Sequence, residues 1–425
     1  MALNQAAAAG ADSRHKWLVF LAIGIGTFMS ALDGSVVNTI LPVIRTFFQS
    51  DVAAVEWVVV IYLLVVSSLL LTFGRLGDLR GHKALYISGF LIFVAASALC
   101  GLAPSVWVLV LARGIQAIGA AMLFANSPAI LTKAFPPQQR GQVLGLQATM
   151  TYLGLTAGPS LGGWLAQSFG WRAVFYINVP IGLIAFVLSL VFIQAEAHPE
   201  SKGERFDLPG AVLFSAGLVA LLFGLNQGGS LGWGSAIILT SLFAAVALLG
   251  VFLWVESRAP YPMLDLSLFQ KRIFSAGAAS ALLNYICLYS VLFLMPFYLI
   301  QGLGLNPAQA GLLLTAQPVI MAIAAPISGS LSDRIGSRLL STLGMGILAL
   351  GLFLISRLGA SSSHTSILIG LAVTGLGTGI FISPNTSALM GSAPRQRQGI
   401  ASGILASARN VGMVLGVLVS STRGR

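Results

Sequence analysis

Thirteen apolar stretches, at 17–41, 55–74, 84–102, 105–132, 141–166, 172–194, 208–226, 235–255, 273–300, 308–329, 339–357, 365–388 and 399–421, follow one another with only short polar or charged connections. A helix of about 20 apolar residues crosses the roughly 30 Å hydrocarbon core of a bilayer. The recurrence therefore predicts an all-α polytopic membrane protein. Composition agrees, since 56% of the 425 residues are hydrophobic and only 8% are charged, a balance that repeated spans need and a soluble core does not. The first stretch, from Trp17 to Leu41, exceeds the roughly 7–15 residues of a signal-peptide core, and no small-residue cleavage site follows it. It is expected to remain as an uncleaved span.

The formal net charge is +11. A nucleic-acid footprint would gather basic residues on one face, whereas here they come in twos and threes between apolar runs. They concentrate in alternate connections, as at Arg75, Arg80 and Lys83, at Lys133 and Arg140, and at Arg395 and Arg397. By the positive-inside rule those connections and the N-terminus are cytoplasmic, in the cell (inner) membrane. Arg423 and Arg425 fall on the other side of an odd thirteenth span, which a missing fourteenth span would explain. Cys100 and Cys287 lie inside apolar stretches, where packing is expected rather than a disulfide or metal ligation. The four histidines all lie outside the stretches, so no metal site, no cofactor and no nucleic-acid partner is expected.

An internal repeat organises the chain. "GRLGDLRGHK" at 74–83 shares G-x-L-x-D-x-x-G with "GSLSDRIGSR" at 329–338, 255 residues later. Pro42 and Pro296 stand 254 residues apart, and Gly141 and Gly399 stand 258 apart. Two similarly oriented repeats follow, an architecture in which the substrate site lies between the halves near the bilayer midplane. The expected division is a six-helix bundle over 1–195, a charged linker with two inserted spans over 196–260, and a five-span bundle over 261–425 that lacks its sixth span.

Asp33 is the only acid deep within a stretch. It stands eight residues before Leu41, about 12 Å from that boundary at 1.5 Å per residue. Arg113, eight residues into the fourth stretch, reaches the same depth, and Arg409 lies near the middle of the thirteenth. A charge at that depth costs roughly 2.5–3.5 kcal/mol on insertion scales, and intramembrane ionisable groups mark pathways by default. Burial raises an Asp pKa and a neighbouring Arg lowers it, so helices that shift would let Asp33 bind and release a proton. A static Asp33–Arg113 pair joining two helices is the alternative. Arg409 has three open roles: competing for Asp33, contacting helix carbonyls, or holding an anionic substrate group.

In "GLTAGPSLGG" at 154–163, small residues four apart permit close helix approach, and Pro159 removes one backbone hydrogen bond. Together with "LDGSVVNTILP" at 32–42 and "WRAVFYINVPIG" at 171–182, this stretch makes the chain resemble the major facilitator superfamily, specifically its 14-span drug:proton antiporter branch. The resemblance implies proton-coupled efflux of amphipathic, drug-like compounds by alternating access, with no enzymatic activity. It gives Asp33 and Arg113 the proton transfer, and makes Gly154, Gly158, Pro159, Gly162 and Gly163 the antiporter element that limits leak. The loop residues Asp78, Arg80, Lys83, Asp333, Arg334 and Arg338 become a charge latch between bundles; here Leu79, not a basic residue, follows Asp78. Gln116, Tyr285, Tyr289, Gln317 and Arg409 are expected to line the substrate cavity, which would suit lipophilic, often cationic molecules. The implied partners are a small-molecule substrate, protons and the lipid bilayer, and the chain is expected to be a monomer. An exporter of one specific metabolite or antibiotic, or a truncated and inactive transporter, are the competing readings. No Lys follows a Gly anywhere, so the phosphate loop of an ATP-driven pump is absent.

Overall fold

Two glycines, Gly81 and Gly336, adopt φ of +91° and +88°, a backbone conformation that a side chain disfavours. Each ends one long helix and starts the next, 255 residues apart, so the repeated loop motif is a repeated tight turn between antiparallel helices. The computed structural model that contains them describes residues 2–194, 204–305 and 307–421. Lys202, Arg423, Arg425 and most of the charged linker lie outside the described residues.

The first repeat comprises α1 (Ala2–Phe48), α2 (Val52–Arg80), α3 (His82–Leu102), α4 (Val106–Ala134), α5 (Arg140–Phe169), α6 (Ala173–Tyr176) and α7 (Asn178–Phe192). Next come the inserted pair, α8 (Leu208–Leu231) and α9 (Ala236–Glu256). The second repeat comprises α10 (Arg272–Phe297), α11 (Pro307–Leu314), α12 (Ala316–Ile335), α13 (Ser337–Ser356), α14 (His364–Ser392) and α15 (Gln398–Ser421). Asp51 and Ser105 cap α2 and α4 by accepting the N–H groups of Ala54 at 2.9 Å and Val108 at 3.4 Å. Among the described residues there is no strand, and the all-α polytopic expectation holds.

Each of the thirteen apolar stretches falls on helix, and among the described residues 11 of these stretches are long and apolar enough to cross a membrane. The other two, α5 and α15, are 30 and 24 residues long. Both are rich in small and polar residues, which suits helices that face protein rather than lipid. Two stretches expected to be continuous are broken. Helix α6 ends at Tyr176, four residues before Pro180, and α11 ends at Leu314, four before Pro318. In each case the proline lacks the N–H that would bond the carbonyl four residues back, and its ring crowds that carbonyl.

Packing follows the repeat. In the first repeat α1 lies on α5, α3 on α4, and α2 on α4; in the second, α10 lies on α15, α13 on α14, and α12 on α14. The repeats meet through α2 against α15 and α5 against α12. These seams are built of glycine: Gly74 backs onto the Gly399 carbonyl, and Gly141 onto that of Gly329. Helices α8 and α9 pair with each other, and α8 leans on α2, with Ser215 Oγ donating to the Ser68 carbonyl at 3.0 Å.

Candidate functional site

Asp33 is fully buried inside the first repeat, where every polar atom it meets is a donor. Its Oδ2 accepts from Arg113 Nη1 at 2.6 Å, and its Oδ1 accepts from Asn178 Nδ2 at 2.8 Å and Gln116 Nε2 at 3.1 Å. Arg113 also donates through Nη1 to Gln116 Oε1 at 2.7 Å and through Nε to the Val58 carbonyl at 3.4 Å. Its guanidinium lies 4.1 Å from the Tyr62 ring centroid. Asn178 donates to Ser97 Oγ at 3.1 Å, and Ser97 in turn donates to the Phe175 carbonyl. The carboxylate of α1 thus takes its donors from α4 and α7, and the same network reaches α2, α3 and α6. All of these side chains are buried, so a full ionic hydrogen bond is formed where an unpaired charge would be costly.

Asn178 is placed by the break after α6, because it is the first residue of the restarted helix α7. Neither it nor Ser97 nor Tyr62 was assigned a role from sequence. The available signal was an amide, in "YINVP", standing within an apolar run. Gln116, expected on the substrate cavity, belongs instead to the Asp33 cluster, because three residues along a helix carry it onto the face of Arg113.

The glycines of "GLTAGPSLGG" fit α5 against the stretch of α1 that carries Asp33. A Cβ at Gly154 would stand 2.6 Å from the Phe28 carbonyl oxygen, and one at Gly158 would stand 3.0 Å from Val36 N. Gly162 packs against Val36. Gly163 and Pro159 do not share this contact: Gly163 faces open space and Pro159 is exposed. The close-approach surface is therefore the three glycines spaced four apart.

At the end of the bundle bearing the Gly81 and Gly336 turns, each loop aspartate binds the opposite repeat. Asp78 accepts from the N–H groups of Gly399 at 2.8 Å and Ile400 at 2.9 Å, the first peptides of α15. Asp333 accepts from those of Gly141 at 2.8 Å and Gln142 at 2.9 Å, the first of α5. Arg and Lys side chains were expected as the partners, but helix N-termini fill that role because their leading N–H groups are unsatisfied and carry the positive end of the helix dipole; His82 Nε2 also lies 3.4 Å from Asp78 Oδ1. Arg80, Arg334 and Arg338 are exposed, and Lys83 donates to the Leu190 carbonyl at 2.8 Å. Arg75 is buried and pairs with Glu204, which also pairs with Arg397 at 3.1 Å.

Between the repeats, Tyr152 of α5 packs with Tyr285 and Leu288 of α10, Met321 of α12 and Phe381 of α14, and Tyr289 and Met413 lie at the edge. The Arg409 guanidinium is 5.2 Å from the Tyr285 ring centroid. The three mid-depth charges therefore separate, with Asp33 and Arg113 together and Arg409 apart from them. Gln317, expected in this cavity, is buried between α12 and α14 and donates to Thr374 Oγ1 at 3.3 Å.

A family model described as Major Facilitator Superfamily matches residues 23–417. The riboflavin transporter RibZ of Clostridioides difficile is 36% identical over 412 residues, covering 96% of this chain and 88% of that protein. The multidrug resistance protein Stp of Mycobacterium tuberculosis is 33% identical over 411 residues, covering 96% of this chain and 75% of that protein. Among solved structures, the human organic anion transporter MFSD10 (TETRAN) has the same fold. It superimposes with a TM-score of 0.71 at 15% identity, over 95% of this chain and 92% of that one.

Proposed function

Since this chain belongs to the Major Facilitator Superfamily, a family of small-molecule transporters, we propose that it is a proton-coupled exporter of amphipathic compounds, of the 14-span drug:proton antiporter type. The observation that carries this reading is the enclosed Asp33–Arg113 pair with its two amide donors. A proton on Asp33 removes the negative charge and leaves Arg113 buried without its partner, at a cost of about 3–5 kcal/mol for a broken buried pair. That cost is relieved if α1 moves relative to α4. Because α1 rests on the glycines of α5, and α5 begins at the Asp333 cap, a shift of α1 is passed to the seam between the repeats. With the basic loops facing the cytoplasm, the joined end is the inner one, so on this reading the described conformation is closed to the cytoplasm.

The driving force suffices, since one proton crossing 100 mV supplies about 2.3 kcal/mol, between one and two decades of substrate gradient at about 1.4 kcal/mol each. In everted vesicles, addition of substrate should release protons from the unmodified chain and not from Asp33→Asn. Normal coupling in that variant would remove Asp33 from the mechanism. A second reading, export of one defined metabolite, is favoured by the 36% identity to a riboflavin transporter. A substrate range confined to one chemical scaffold in the same vesicles would select it.

A further inference from the structure

Among the described residues, one cation between the two repeats has no counter-charge. Arg409 lies on α15 one turn before Gly412 and two turns before Gly416. These glycines let α15 close onto α10, so that a Cβ at Gly412 would stand 2.9 Å from Tyr285 Cβ and one at Gly416 would stand 3.1 Å from Tyr289 Cβ. The close approach fixes the guanidinium beside the Tyr285 ring, and Tyr152 and Tyr289 lie within reach of the same charge. Among the described residues, Arg409 Nε is buried with no hydrogen-bond partner, and none of the ion pairs includes Arg409. The one deep acid, Asp33, is committed to three donors inside the first repeat. Asn284, adjacent to Tyr285, also leaves its carbonyl Oδ1 without a partner.

A ring face stabilises a guanidinium from above but leaves the in-plane N–H donors unmet, and that planar fork matches the two oxygens of a carboxylate or similar anion. We propose that Arg409, with Tyr152, Tyr285 and Tyr289, is the recognition site for an aromatic anion: a planar ring system bearing a carboxylate, sulfonate or phenolate. The rings stack on the tyrosines while the anionic group takes the free edge of Arg409. This rests on the exporter reading and replaces the expectation of cationic cargo, because Arg409, the uncompensated charge at the tyrosine cluster among the described residues, is positive.

The test uses the full chain in lipid nanodiscs at neutral pH, titrated with the anionic dye fluorescein and with a cationic rhodamine ester that carries the same xanthene ring. Binding is followed by anisotropy, with the signal from empty discs subtracted. Fluorescein should bind at least about tenfold more tightly than the ester. Arg409→Gln should weaken fluorescein by about 10- to 100-fold, and Arg409→Lys, which keeps the charge but not the fork, should fall between. Equal binding of the two dyes, or no effect of Arg409→Gln, overturns the proposal. If Arg409→Gln does not melt cooperatively, the dye preference of the unmodified chain and its loss in Tyr285→Ala decide the matter. Proton release in vesicles reads the exporter role separately. Fluorescein binding without proton release would keep the site and remove the coupling, whereas release driven by the ester without fluorescein preference would remove the site and keep the exporter.

Discussion

Replacing Asp78 by Asn removes one charge from the seam between α2 and α15 while keeping the shape and one acceptor oxygen. In the unmodified chain both carboxylate oxygens accept N–H groups from the start of α15, at 2.8 and 2.9 Å, and the side chain is buried. A hydrogen bond to a charged group contributes about 1.5–3 kcal/mol, and one to a neutral group about 0.5–1.5. Two bonds therefore lose about 2–3 kcal/mol between them, and the Asn amide nitrogen faces one of the two donors. At about 1.4 kcal/mol per tenfold, the equilibrium between the joined and parted arrangements of this end should move about 30- to 150-fold toward parting. Asp333→Asn should act alike, because it caps α5 with the same two-bond geometry. Spin labels at the exposed positions 80 and 395, on opposite repeats, would report the change as a longer second distance in double electron–electron resonance. A distance distribution within about threefold of the unmodified one in both variants would refute the idea that these caps hold the seam.

Arg113→Gln alone should destabilise the purified chain by about 3–5 kcal/mol because it strands Asp33, and the double variant Asp33→Asn with Arg113→Gln should recover much of that loss in a thermal melt. Gly158→Leu, which drives a side chain into Ser35 and Val36 of α1, should abolish transport while leaving the membrane-inserted amount within about twofold, as measured by blotting and vesicle flux. Glu204→Gln should weaken the bridge from Arg75 to Arg397 and raise protease sensitivity of the connection before α8, and Arg75→Met in the same chain should reverse part of that effect. Asn178→Leu removes one of the three donors to Asp33 and should shift the pH profile of transport without changing its substrate range.

Depth was legible in the sequence because a helix rises by a fixed step, so counting residues from the span ends was enough to bring Asp33 and Arg113 to one level. Rotation about the bundle was not legible. Arg409 sits at a similar depth but points to Tyr285 on α10, and nothing in its own helix announces that direction. The latch was half legible: the two aspartates stood out as a repeat, whereas their partners are backbone N–H groups of "RGQ" and "QGI" segments, and peptide donors leave no side-chain signature. Asn178 was hidden for a related reason, since an amide in an apolar stretch reads as unremarkable until a proline four residues after Tyr176 breaks the helix and turns it toward Asp33.

Matching the two repeats contact by contact accounts for what each has become. Gly154 meets Phe28, Ala31 and Leu32 of α1, and Gly412, 258 residues later, meets Leu282, Tyr285 and Ile286 of α10, each 254 residues beyond its counterpart. The frame is therefore the same, and positions can be compared. Cys287 stands where Asp33 does, and Leu371 where Arg113 does. Gln317 and Thr374, bonded at 3.3 Å, stand where Tyr62 and Gln116 do, which is why Gln317 lies buried between helices. In place of Arg409 and Tyr285, the first repeat has Thr151 and Ala31. A symmetric pair of helix bundles thus holds a titratable acid in one half and an aromatic-lined cation in the other. On the proposed reading, the half that takes up a proton is not the half that offers the charge for a substrate, so coupling between them would have to pass through the α5–α12 and α2–α15 seams that the two aspartates close.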